Sequence, residues 1–132
     1  MFNFFPIPPN DKIKPMKYVD GYIIPIQKTK LKKYLRDAKI AEKVWRRFGA
    51  LDYKESVADD LFTKWGTSFS KLTKLKKDET LVFAFIVFKS KTHRNSVNKK
   101  AMKEVEKLCN ESNAPFDIKR MSYAGFKLFV GR

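Results

Sequence analysis

Eight consecutive apolar residues, LVFAFIVF from Leu81 to Phe88, form the greasiest run of the chain. The run is far short of the ~20 residues that cross a bilayer, and its length and its aromatic and β-branched content predict a strand. Strand side chains alternate, so Leu81, Phe83, Phe85 and Val87 share one face, and Val82, Ala84, Ile86 and Phe88 the other. Both faces are apolar, and both need cover. Upstream, KYVDGYIIPI (17–26) predicts a first strand. Tyr18, Tyr22, Ile24 and Ile26 share a face with Asp20, and Pro25 marks an edge or a strand end.

Between these strands, Leu31, Tyr34, Leu35, Ala38, Ala41, Trp45 and Phe48 recur at three- and four-residue spacings. They predict an amphipathic helix capped by Thr29, ending near Phe48 with Gly49 as its left-handed stop. ALDYKESV (50–57) sets Leu51, Tyr53 and Val57 against Asp52, Lys54 and Ser56, the pattern of a half-buried strand. Residues 58–78 form a long connection in which Ser68 caps a short helix; such connections are often lids or binding loops. After the central strand, Ser90 or Thr92 caps a second helix reaching about Cys109, with Val97, Ala101, Val105 and Leu108 on its inner stripe. CNESNAPFD reads as a loop, and KRMSYAGFKLFVG as a last strand, apolar on both faces.

The order β-α-β, long connection, β-α-β predicts an α+β ferredoxin-like plait, a four-stranded antiparallel sheet with two helices on one face. Residues 16–132 are expected to form one domain. Residues 1–15 read as an extended N-terminal arm, where Pro6, Pro8 and Pro9 exclude a helix and no signal-sequence pattern appears. Two helices cover only one sheet face. The other would expose an apolar patch of several hundred Å², more than soluble monomers usually tolerate. At ~25 cal/mol per Å², covering it contributes on the order of ten kcal/mol per subunit before the ordering cost of association. The expected cover is a second copy, giving a homodimer packed sheet against sheet.

Composition adds a second reading. The 132 residues carry a net charge of +15, mostly as lysine. A lysine-rich first helix would suit nucleic acid or another polyanion, although lysines spread over polar helix faces usually serve solubility. Cys109 is the only cysteine, which excludes an intramolecular disulfide and fits a cytoplasmic protein. No membrane association is expected.

The segments KYVDGYIIPI, KVWRRFGALDYKESVADD, TSF, KDETLVFAFIVFKSKTHRNSVNKKAM and APFDIKRMSYAGF resemble, in that order, the motifs of the domain-of-unknown-function family DUF1428, the YbaA-like proteins. The resemblance spans nearly all of residues 17–128. It implies a dimeric α+β barrel in which two plaits pack their sheets together, and it brings a fold without a reaction. Ser70 stands where the family usually has proline, and Ile118 where it usually has glycine.

Candidate chemistry is sparse. His93, the sole histidine, shares the inner stripe of the second helix with Val97 and Ala101, so an imidazole facing the sheet could act as acid, base or lone ligand. The plainer reading is a core histidine satisfied by a backbone carbonyl or a carboxylate. One His and one Cys cannot supply a zinc site, a lone histidine is weak ground for haem, and no cofactor is expected. Asp20 interrupts an apolar face and needs a partner such as Arg94, Lys119 or Arg120. Asp117, Lys119 and Arg120 could anchor a carboxylate or phosphate, or Asp117 could simply hold Arg120 or the first turn of a helix in place. The expected pocket lies between sheet and helices and draws on His93, Arg94, Asn98, Asp20 and Tyr22, with Trp65 and Phe69 from the long connection. The cluster Asp117, Lys119 and Arg120 completes the candidates. No residue set fixes a reaction, and the expected function is small-molecule binding.

Overall fold

A computed structural model of the chain describes residues 16–109 and 114–131. The expected arm over 1–15 and part of the loop after Cys109 lie outside the described residues. The elements are β1 (Tyr18–Gln27), α1 (Leu31–Arg47), β2 (Asp52–Val57), α2 (Phe69–Leu72), β3 (Glu79–Phe88), α3 (Lys91–Leu108) and β4 (Ser122–Lys127). The strands form one sheet in the order β2-β3-β1-β4, and every neighbouring pair is antiparallel.

The registers assign the two faces. Tyr18 lies opposite Phe88, Asp20 opposite Ile86, Tyr22 opposite Ala84 and Ile24 opposite Val82, so these side chains share one face. Tyr53 and Glu55 of β2 and Tyr123 of β4 join it, opposite Ile86, Ala84 and Tyr22. α1 and α3 cover this face. Tyr18, Tyr53, Ile86, Phe88 and Val97 pack with Ala41, Trp45 and Phe48 at one end, and Ile24, Ile26, Tyr34 and Val82 pack with Leu31 and Ala38 at the other. On the opposite face Phe83 is 45% and Phe126 57% exposed, with Ile23, Phe85 and Val87 half-buried beside them.

Several local expectations shift. A 3-10 turn at Lys28–Lys30 precedes α1, and no side chain caps the helix, Thr29 included. Leu35 faces solvent while Val44 is buried, because each helical residue turns ~100° and Leu35 falls at the margin of the stripe. Ser90, not Thr92, caps α3, its hydroxyl accepting the His93 N–H at 3.1 Å. Ser68 caps α2 in the same way at Lys71. Leu108 is exposed in the last turn of α3, and β4 is an exposed edge strand preceded by a 3-10 turn at Ile118–Arg120. No helix among the described residues is long and apolar enough to cross a membrane.

Gly49 ends α1 at φ +115°, and a Cβ placed on it would stand 3.1 Å from His93 Nε2. Gly49→Ala therefore combines backbone strain with a tight contact. It is expected to lower unfolding stability by about 1–3 kcal/mol, read as a shifted urea midpoint at unchanged slope.

Candidate functional site

The helix-covered face carries two polar stations, and a third lies where β3 begins. The first surrounds Asp20. Alternation along β1 turns this carboxylate inward, where it is completely buried. Asn98 Nδ2 donates to Asp20 Oδ2 at 3.0 Å, and Arg94 Nε faces Oδ1 at 3.6 Å. Arg94 and Asn98 are four residues apart on α3, so one helix face presents both to the same acid. Trp45 Nε1 donates to Asn98 Oδ1 at 2.9 Å, and Arg94 donates to the Tyr123 hydroxyl at 2.7 Å and the Tyr18 hydroxyl at 3.4 Å. The guanidinium also lies over the Tyr18 ring, 4.9 Å from its centroid. Burial and the charge of Asp20 push the Tyr123 hydroxyl up to about 12. This network joins β1, β4, α1 and α3.

His93 sits beside the first station as a packing and capping group. Its Nδ1 accepts the Lys89 backbone N–H at 3.0 Å, and its ring meets Phe88 edge-on at 6.1 Å. Burial, with help from the Lys89 charge, holds the imidazole below its ordinary pKa of 6.5, so it is neutral at pH 7. His93 lines neither of the cavities described below.

The second station is a cavity of about 370 Å³ between the middle of the sheet, α1, the C-terminal half of α3 and residues 114–121. Small residues open it: Ala84 on the sheet faces Ala38 and Ala41 on α1. Its walls are largely apolar, and Tyr22, Trp45, Tyr53 and Phe116 contribute aromatic rings. At its polar end Tyr53 donates to Glu55 Oε2 at 2.6 Å, and Tyr34 donates to Glu55 Oε1 in a short hydrogen bond. Burial first, and then the Glu55 carboxylate, push the Tyr34 and Tyr53 hydroxyls well above the ordinary tyrosine range. Burial and Asp20 do the same to Tyr22. All three therefore stay protonated at neutral pH.

The third station is Glu79 with Arg120. The guanidinium grips both carboxylate oxygens, with Nη2 donating to Oε1 at 2.9 Å, and it also donates to the Thr73 and Lys74 carbonyls at 3.4 and 3.3 Å. This pairing holds the Glu79 carboxyl below its ordinary 4.5. Asp117 accepts the Lys119 backbone N–H at 3.0 Å, and Arg120 pairs with Glu79 rather than with Asp117. A second, polar cavity of about 310 Å³ lies here, touched by Asp117, Arg120, Glu79 and Lys30. Lys119 is exposed.

The expected constellation is therefore divided. Asp20, Arg94 and Asn98 meet in one network, Tyr22 reaches the large cavity, and Asp117 and Arg120 belong to the far end. The connection at 58–78 leaves β2 and enters β3 at Glu79, whereas His93 follows the other end of β3, about 30 Å away at ~3.3 Å per residue. Trp65, 85% exposed, and Phe69, 44% exposed, line neither cavity. The residues not anticipated are Glu55, Tyr34 and Tyr53. The alternation that predicts β2 carries the signal, since Glu55 falls between Tyr53 and Val57 on the same face. Among the described residues no three His, Cys, Asp or Glu side chains gather as a metal site.

Comparison with known proteins supplies relatives. The sequence profile of the family described as "Protein of unknown function (DUF1428)" matches residues 17–118. "Uncharacterized protein YbaA" of Escherichia coli (strain K12) is 34% identical over 115 residues, covering 87% of this chain and 98% of that protein. The YbaA of Shigella flexneri matches with the same identity and coverage. Among solved structures, "De novo designed protein Foldit4" aligns over 85% of this chain and 98% of its own, at 14% identity and a TM-score of 0.48.

Two of the stations are testable through stability. Arg94→Met leaves Asp20 buried without its cation and is expected to cost about 3 kcal/mol; adding Asp20→Asn to it should recover part of that loss in chemical denaturation. At the third station the Glu79 carboxyl is depressed, so its contribution is present above pH 4.5 and disappears as pH falls through the lowered value. Arg120→Gln should melt below the parent at pH 7, and the two melting temperatures should converge in stronger acid.

Proposed function

This chain belongs to the DUF1428 family, and we propose that it is a homodimeric α+β barrel protein that binds a small, largely apolar molecule in the cavity between sheet and helices of each subunit. The observation that carries the binding reading is the cavity itself. Ligand pockets typically measure ~300–1,000 Å³ and combine apolar walls with a few placed polar groups. A space of about 370 Å³ with one tyrosine-flanked carboxylate at its end has that character. A chain selected for packing alone would fill such a space, because voids in a core cost stability.

The barrel reading draws on topology and on the uncovered face. Four antiparallel strands in the order β2-β3-β1-β4, with both long crossover helices on one side, match the ferredoxin-like plait. The other side holds Phe83, Phe126 and their half-buried neighbours around Ile23, a contiguous apolar surface that a second copy of the same sheet would cover.

Two measurements test this function. The neutral fluorophore N-phenyl-1-naphthylamine should bind saturably at one per subunit, and Ala41→Phe, whose ring fills the cavity, should abolish the signal without lowering the melting temperature. Binding that Ala41→Phe leaves unchanged would move the site elsewhere, and no saturable binding would end the reading. In sedimentation equilibrium the protein should weigh as a dimer at micromolar concentration, and Phe83→Arg should shift it towards monomer. A well-behaved monomer of the unsubstituted chain would exclude the barrel.

A further inference from the structure

We infer that the cavity's ligand is an organic cation, a protonated amine carried on an apolar or aromatic body; this rests on the small-molecule-binding reading above. The first observation is the sign of the charge. The chain holds 29 Lys and Arg against 14 acidic residues, yet among the described residues no Lys, Arg or His lines this cavity, and the charged wall residues there are Asp37 and Glu55. Asp37 is already paired, with Lys33 Nζ at 2.9 Å. No basic side chain pairs with Glu55 among the described residues.

The second observation concerns donors. A carboxylate offers about four lone-pair sites, and Glu55 receives two hydroxyl donors, from Tyr34 and Tyr53. Those hydroxyls have given their hydrogens to Glu55, so they show the cavity only lone pairs. The indole N–H of Trp45 is likewise engaged, by Asn98 at 2.9 Å. The polar end thus presents acceptors around a negative charge. A carboxylate or phosphate ligand would meet repulsion there. An ammonium supplies up to three donors and neutralises the charge.

The third observation is the wall. The rings of Tyr34, Trp45, Tyr53 and Phe116 surround this end, with Trp45 and Tyr53 centred 6.2 Å apart and Tyr34 and Phe116 5.8 Å apart. Aromatic faces attract desolvated cations and suit the hydrocarbon body as well. The elevated hydroxyl pKa values of Tyr34 and Tyr53 fit the same arrangement, since both must remain donors to Glu55 for it to hold its place.

The test is a matched series of near-equal size: 2-phenylethylamine, 2-phenylethanol and phenylacetate, each titrated against the full-length protein by calorimetry and by displacement of N-phenyl-1-naphthylamine. The amine should bind about tenfold or more tightly than the alcohol, and phenylacetate should not compete. Glu55→Gln, which keeps an acceptor for the tyrosines, should remove the amine's advantage, lowering the amine's affinity about tenfold more than the alcohol's. Equal or tighter binding of the alcohol or of phenylacetate overturns the cationic assignment while the cavity stands as a binding site. Displacement by none of the three, with the fluorophore still bound, also overturns it. If the fluorophore itself fails to bind, the binding reading falls and the assignment with it. The comparison of amine with alcohol on the unsubstituted chain decides the matter even where Glu55→Gln does not fold.

Discussion

A carboxylate out of reach of water fixes how the helical layer meets the sheet. Burying an unpaired charge costs several kcal/mol, so Asp20 demands its partners wherever it goes. Those partners come from one face of α3, through Arg94 and Asn98, and each reaches further: Asn98 to Trp45 on α1, Arg94 to Tyr18 on β1 and Tyr123 on β4. A helix free to slide along an apolar sheet by one turn would break all of these contacts together. Apolar packing supplies most of the adhesion, and this network supplies the register.

With α1 and α3 pinned near one end of the strands, the middle of the layer can remain open. The opening is built from the smallest side chains, Ala84 below and Ala38 and Ala41 above, while Ile24, Ile86 and Trp45 keep the surroundings dense. Leaving the gap unfilled sacrifices packing that Leu or Phe at any of the three alanines would restore. Glu55 adds a further cost, a carboxylate turned toward apolar space, offset by the two tyrosine hydroxyls that hold it. Both features coincide in one place.

Much of the architecture was legible in the sequence because it rests on periodicity. The two-faced run at Leu81–Phe88, the α1 stripe and the Ser90 cap each follow from local rules, and their order along the chain limits the sheet to few arrangements. Asp20 was legible as an inward acid with Arg94 as a candidate partner, since one polar residue on an apolar face stands out. The cavity was not, because the contacts that make it are distant: Glu55 lies 21 residues from Tyr34 and meets it only once β2 pairs with β3. The grouping of His93 with Trp65 failed for a related reason, since helix periodicity says which face a residue occupies but not which end of a strand a connection leaves from.

The pairing of Arg120 with Glu79 reaches beyond its own corner of the molecule. Phe116, Ile118 and Met121 form one flank of the chamber, and besides the packing of Phe116 and Met121 the Arg120 guanidinium ties their segment to the start of β3 and to the carbonyls of Thr73 and Lys74. Acid that protonates Glu79 loosens that clasp and slackens the flank. Were the chamber occupied as proposed, its occupancy would then depend on a proton that the ligand never touches.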